Sequence, residues 1–443
     1  MITAAGRSAS AGVSMRPDGS RAVVVVEGAV LPVRRPPTQD VDALMAAIVR
    51  TATDAAGPNA LRAVTVDVSA VLLDAVVGAR PSLPLVAVVR VVPRPADDPE
   101  LARSPARFVE RLISHRWTVA GGHDLLGNEL RPLDEAMLAA VCAELVQTDA
   151  RHLAVVAAGS QARPEHERAV ADAVQAAVPG ARISAASDFG GQGLIAREAT
   201  VVLDCTLGQL TDALFTRWEA ALERHAPGVP LRVARGDGGF STPSPVRARP
   251  SVALGAADAA ELCGAAHMAA HEDCRVLLRR PEGQVAGDVR RGLPVVRSAQ
   301  LVELGTALVV PTAVLAPEPG GADGGQVLRV TDLPIVVADG DPYERVCAGA
   351  ATSQPTGWVD EIAYIGSAAR LAGARREAEE RAAAMVTANG AAPGTSYLIE
   401  SSIVAVPYSP SGTVRIRVRV AGASETFVPG AAVGPEHPLE VAP

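Results

Sequence analysis

Residues 22–68, AVVVVEGAVLPVRRPPTQDVDALMAAIVRTATDAAGPNALRAVTVDV, decide the fold class. The run 22–27 reads as a buried strand, and Glu27-Gly28 turns into a second strand at 29–34. Over 40–55 the apolar spacing changes: Val41, Leu44, Met45, Ile48 and Val49 share one helical face. Residues 63–68 return to strand character, and PLVAVVRVV at 84–92 is a further strand. A β-β-α-β opening of this kind predicts an α/β domain.

Outward from that stretch the same alternation continues. Residues 116–119 and 129–131 flank the turn GGHDLLGN, and a helix runs over 134–147. A strand at 152–157, a loop at 158–164 and a helix at 165–177 follow, then a strand at 181–184. Residues 194–225 read as one long helix, 231–234 as a strand, 253–270 as an alanine-rich helix and 275–278 as a short strand. RREAEERAAAM marks a helix over 367–389 with ion-pair spacing. Two strands close the pattern, at 396–406 and at 413–420. The second alternates strictly, so its arginines are expected to face solvent or an interface, where an unpaired strand would suit docking. Residues 1–20 read as a loose, flexible leader, 93–105 as a surface loop, 317–325 as a glycine-rich loop and 423–443 as a tail.

Composition narrows the chemistry. The chain has 443 residues, 48% hydrophobic and 20% charged, with 3% aromatic, so its core must be built from Ala, Val and Leu. All 41 basic residues are arginine, as a GC-rich genome would produce. Without lysine there is neither a Schiff-base lysine nor a lysine-containing phosphate loop. A net charge of −8 with no basic run argues against nucleic acid. The five cysteines are scattered, which suits a reducing cytoplasm and neither zinc nor disulfides. No run of about 18 apolar residues suggests a membrane span.

Five segments, in order, resemble the large subunit of the hydantoinase/oxoprolinase family. They are VRRPPTQDV (33–41), HRWTVAGGHDLLGNELRPLDEAML (115–138), the block from 163 to 207 that contains RPEHE and GLIAREATVVLDCTL, the block from 232 to 269 that contains RGDGG, and VPYSPSGTVRIRVRVAG (406–422). The resemblance spans nearly the whole chain. It implies an α/β, actin-like (ribonuclease H-like) fold of two lobes with mixed sheets, the first over 21–195 and a shortened second over 196–422. It also implies ATP-dependent opening of small cyclic amides, with Mg-ATP held between two D-x-G-G-T-x-T-D loops.

Those loops are eroded here. The first falls at 15–22 (MRPDGSRA), where only Asp18, Gly19 and Ser20 are suited to phosphate, and Pro17 removes a backbone donor. The second falls at 278–285 (LRRPEGQV), with Leu278 and Val285 where carboxylates are needed. The substrate-side loop is replaced by DVSAVLL (67–73), and a middle segment of the relatives is missing between about 300 and 340. ATP binding in the family's way is therefore not expected.

Several residues remain as candidates. His123-Asp124 in a glycine turn is a poised base or a structural turn. Asp188, with Gly190, Gly191 and Gly193, is a weak phosphate loop. Asp237-Gly238-Gly239 is a polar cleft turn or a tight turn needing positive φ. His166-Glu167 reads as a helix start and Arg197-Glu198 as a helix-surface ion pair. His267 and His271, four apart with Glu272 and Asp273, are the densest metal-type cluster, although Met268 stands where a zincin has glutamate. Three functions follow: a non-catalytic binding or scaffold subunit, paired with a hydantoinase B-like protein or with itself; a divergent amidohydrolase for hydantoin- or 5-oxoproline-like rings; and a structural homo-oligomer.

Overall fold

The computed structural model describes residues 7–34, 37–78, 82–95, 107–281, 283–301, 305–318, 332–407 and 409–424. Most of the expected loops at 93–105 and 317–325, and most of the tail, lie outside these residues.

A six-stranded mixed sheet forms from the opening stretch. Its order is Phe240–Ser241, Leu231–Ala234, Leu61–Asp67, Ala9–Ser14, Arg21–Val26 and Ala29–Pro32. Ala9–Ser14 corrects the expected leader. It pairs antiparallel with Arg21–Val26 and parallel with Leu61–Asp67, and Ala11 and Val13 are fully buried. Its sequence, ASAGVS, lacks bulky side chains because the helix Pro342–Thr352 lies directly on it. A Cβ on Gly12 would sit 1.8 Å from the Cys347 carbonyl oxygen. Low local hydrophobicity here reflects close packing, not exposure.

Beside it stands a four-stranded parallel sheet, ordered Arg182–Ala185, His152–Ala157, Val86–Val92 and Ile113–Ala120. Parallel strands need cover on both faces. Val86 and Val88 point into a core shared with the long helix Leu194–His225, while Ala87, Val89 and Val91 point into one shared with the helices Glu135–Val146 and Glu165–Ala177. The long helix has 32 residues, about 48 Å at 1.5 Å rise. Every residue from Arg197 to Gly208 is buried, so its first half is a core element and only its second half is amphipathic.

Between 283 and 364 the sequence shows only a glycine-rich loop at 317–325, yet the described residues there form strands and the helix Pro342–Thr352. A five-stranded sheet joins Cys274–Arg280 to Gly283–Arg290, Leu293–Pro294, Ala316–Pro317 and Ile335–Val337. The helices Ala256–Met268 and Pro342–Thr352 cross at glycine on glycine: a Cβ on Gly264 would meet the Arg345 carbonyl oxygen at 1.8 Å, and one on Gly349 the Ala260 carbonyl oxygen at 1.9 Å.

The C-terminal sheet runs Thr356–Tyr364, Thr413–Ala421, Tyr397–Ala405, covered by the helix Ala368–Ala388. The alternating strand is therefore central, hydrogen-bonded on both sides, and is not a free docking edge. Its arginines turn inward. Arg415 Nε donates to Asp360 (2.6 Å), and the buried Arg419 donates to the Pro294 carbonyl (2.6 Å) and to that of Asp237. Among the described residues no helix is long and apolar enough to cross a membrane.

Candidate functional site

Ser69, held by Asp67 beside the first hairpin, and Arg280 of the second hairpin reach the first turn of Ala256–Met268. In the first hairpin, the turn after Ala9–Ser14 buries Met15, whose sulfur accepts from Trp218 Nε1 at 3.1 Å. The Arg16 and Arg21 guanidinium groups both lie over the Tyr343 ring, at 4.6 and 4.2 Å, and Arg21 also pairs with Asp341 at 2.9 Å. Asp18 is exposed; Gly19 packs on Pro37; the Ser20 backbone pairs with Thr38. Among the described residues no hydrogen bond joins the Asp18 or Ser20 side chain to that helix start.

Asp67 does reach it, and it was not among the candidates. It stands opposite Ser14 in the parallel register. Its carboxylate accepts from Ser14 Oγ (3.3 Å), Ser69 N (3.0 Å) and Ser69 Oγ (2.6 Å), and Ser69 Oγ accepts in turn from Ala257 N (3.1 Å). Burial raises the Asp67 carboxyl above the usual carboxylate range, against the lowering effect of Ser69, Arg16 and Ser14. In the second hairpin Leu278 is fully buried and pairs with Val285. Arg280 reaches Asp258 (2.9 Å) and Glu261 (2.7 Å) on the same helix, and Arg345 also holds Glu261 (2.7 Å).

A second constellation sits at the carboxyl end of the parallel sheet, the usual ligand-facing end of such sheets. His123 follows the strand Ile113–Ala120, and His166 starts the helix after His152–Ala157. Their rings lie 4.3 Å apart. His166 Nδ1 accepts from Gly122 N (2.9 Å), so its Nε2 carries the proton and donates to Glu129 (3.1 Å). His123, His166 and Glu129 are close enough to share an ion. However, a cation on His166 Nε2 would need the lone pair that the Gly122 bond denies it, so the trio is built as a hydrogen-bonded unit. His123 Nδ1 is buried with no hydrogen-bond partner, and burial, followed by the neighbouring His166, lowers its pKa. Asp124 does not join them. Burial raises its carboxyl, but hydrogen bonds from Asn128, Leu126 and Gly127 hold it below the usual range, and those bonds commit it to the turn.

His166-Glu167 opens the helix Glu165–Ala177 as expected, whereas Arg197-Glu198, expected as a helix-surface pair, is buried. Glu167 is fully buried and accepts from Ala157 N (2.9 Å) and Ser160 Oγ (2.6 Å), with Arg197 at 3.8 Å. Glu198 pairs with Arg90 on the parallel sheet and with Arg116 (3.2 Å). Together they lock the long helix onto the sheet.

Asp188 lines a pocket of about 440 Å³ with Arg182, Ser184, Phe189, Asp204 and Arg249. Its glycine loop is fixed: Gly191 N donates to Asp360 O (3.0 Å), and a Cβ on Gly190 would strike the same carbonyl. Asp204, in the long helix, was not anticipated. Its Oδ1 accepts from Ser251 N (2.7 Å), while its buried Oδ2 and the buried Ser251 hydroxyl close no hydrogen bond. Burial pushes its carboxyl up to about 7, and burial also raises Asp188. Because the folded pKa exceeds the unfolded one, the folded chain holds a proton in the window between about 4 and 7 that the unfolded chain releases. This site's stability is therefore lost as pH rises through that window. Asp204→Asn is expected to raise the melting temperature at about pH 8 and to flatten its fall between about pH 5 and 8, measured by scanning calorimetry.

The remaining candidates are structural. Asp237 is buried; burial raises its carboxyl, but Arg235, Arg419, Thr356 and Gly239 hold it low. Gly238 has φ +80°, and a Cβ on Gly239 would lie 2.0 Å from Thr356 Oγ1, so the turn admits only glycine at both positions. His267 and His271 do not share a helical face, because the helix ends at Met268 and Ala270 adopts φ +55°. His267 Nε2 lies 3.1 Å from the Gly28 carbonyl oxygen, and His271 is exposed. All five cysteines are free thiols.

Comparison with known proteins places this geometry. Solved structures share the fold. Acetone carboxylase in its nucleotide-free form, described for the mechanism of ATP-dependent acetone carboxylation, matches with a TM-score of 0.66 at 12% identity over 94% of this chain and 88% of that chain. The ATP-dependent caprolactamase from Pseudomonas jessenii matches with a TM-score of 0.68 at 12% identity over 96% and 89%. No curated protein matches the chain. Residues 97–178, which carry His123, Glu129 and His166, match the hydantoinase/oxoprolinase N-terminal region.

Proposed function

We propose that the chain is an actin-like, two-lobed family member that does not hold Mg-ATP between its lobes and works as a binding or scaffold subunit. The observation that carries this reading is the buried Asp67 carboxylate, with Ser14 and Ser69, against the first turn of Ala256–Met268. A triphosphate needs free backbone N–H groups, hydroxyls and a metal-holding carboxylate at such a turn. Here the Ala257 N–H is taken by Ser69, the Asp67 carboxylate and the Ser14 and Ser69 hydroxyls are spent on one another, and Arg16 and Arg21 are stacked on Tyr343. Arg280 is likewise committed to Asp258 and Glu261. The residues present do not fit the nucleotide.

A thermal-shift titration tests this. A ligand at 100 times its Kd stabilises by about 2.7 kcal/mol. Millimolar Mg-ATP is expected to leave the melting temperature unchanged, and a saturable upward shift would restore a nucleotide-using enzyme. The partner in this reading is a hydantoinase B-like subunit or a second copy, separable by size-exclusion of the chain with and without that protein. A second reading, a divergent cyclic-amide hydrolase, is favoured by one observation, the unpartnered His123 Nδ1 beside His166 and Glu129. It requires ATP-independent turnover of hydantoin or 5-oxoproline that disappears in His123→Ala.

A further inference from the structure

The pocket between the strand Arg182–Ala185, the long helix and Arg249 lies apart from both hairpins, so what it binds is independent of the nucleotide question. Its lining has an unusual charge arrangement: two carboxylates, Asp188 and Asp204, and two guanidinium groups, Arg182 and Arg249, face one cavity of about 440 Å³.

The four groups are not equally available. Arg182 is committed, donating to Asp212 (3.2 Å) and to the Arg247 carbonyl. It also lies flat against the long helix, where a Cβ on Gly208 would fall 2.1 Å from its Cζ. Arg249 is held from one side only: Nη1 donates to the Asp188 carbonyl (3.1 Å), and its guanidinium lies 5.8 Å from the Phe189 ring centroid. Asp204 is fully buried, yet its Oδ2 has no partner. A buried carboxylate oxygen without a donor is costly, and a cationic donor relieves that cost best.

A simple anion would meet Arg249 but be repelled by Asp188 and Asp204 and compete with them for it. A simple cation would meet the acids but face Arg182 and Arg249. A ligand bearing both charges satisfies every group. We propose that this pocket binds a small amino-acid zwitterion, its carboxylate on Arg249 and its ammonium group shared by Asp204 and Asp188.

Because Asp204 must be ionised to receive the ammonium group, and burial raises its carboxyl to about 7, affinity should increase with pH across neutrality.

The test is a calorimetric and thermal-shift panel on the full chain, using the twenty common L-amino acids one at a time, with propionate and propylamine as single-charge controls. At least one amino acid is expected to bind and raise the melting temperature, more tightly at pH 8 than at pH 6, while neither control does so. Asp204→Asn, whose amide oxygen keeps the Ser251 bond, and Arg249→Gln are each expected to weaken that binding at least tenfold, with circular dichroism showing a folded chain. The idea is overturned if no amino acid binds, if propionate or propylamine binds as well as the zwitterion, or if either folded variant binds as tightly as the parent.

Discussion

Alanine in place of Glu198 is expected to destabilise the chain by about 3–5 kcal/mol, the cost of taking one member out of a buried ion pair. Glu198 is 1% exposed and Arg90 3%. Glu198 accepts from Arg90 Nη2 at 2.8 Å and from Arg116 at 3.2 Å. Removing the carboxylate takes two charge-assisted hydrogen bonds from the buried Arg90 guanidinium in the interface between the long helix and the parallel sheet. Replacing both members of a buried pair by well-packed apolar residues is often neutral. Arg90→Met with Glu198→Met should therefore recover much of the loss. Chemical denaturation of the three proteins checks this, and equal destabilisation by the single and double variants would show that burial of the charge is not the cause.

Gly264→Ala and Gly349→Ala should each cost about 3 kcal/mol, at the upper end for forcing one extra carbon into a tight contact. The clash is backbone on backbone, 1.8 and 1.9 Å from carbonyl oxygens, so no side chain can turn aside to relieve it. The helices Ala256–Met268 and Pro342–Thr352 would have to separate, loosening the contacts of Pro342–Thr352 on the strand Ala9–Ser14 and of Ala257 on Ser69. Gly373, on the helix Ala368–Ala388 with nothing within 4 Å of its Cβ position, is the control, and Gly373→Ala should stabilise slightly. Thermal unfolding separates the outcomes; a small change at Gly264 and Gly349 would mean the crossing is loose.

Legibility in the sequence followed the range of the forces involved. The strand His152–Ala157, the helix Glu165–Ala177, the long helix Leu194–His225 and the strand Leu231–Ala234 were read to the residue. Each declares itself through apolar periodicity or through turn residues a few positions away. Ala9–Ser14 was missed because its apolar content is small and its burial comes from a helix more than three hundred residues later. The polar groups show the same limit. Asp237-Gly238-Gly239 was legible as a turn because positive φ is a local demand. Glu167 and Arg197, thirty residues apart, gave no sign that they would meet, nor did Asp67 and Ala257.

Taken alone, the order of residues determined an α/β chain with an Ala/Val/Leu core and its main helices and strands. These depend on composition and on side-chain spacing along one element. Tertiary structure alone decided which strands lie at the centre, which charges are buried, and which acids and arginines share a cavity. A carboxylate's partner, and the loss of water around it, are set by whatever the chain brings against it from a distance.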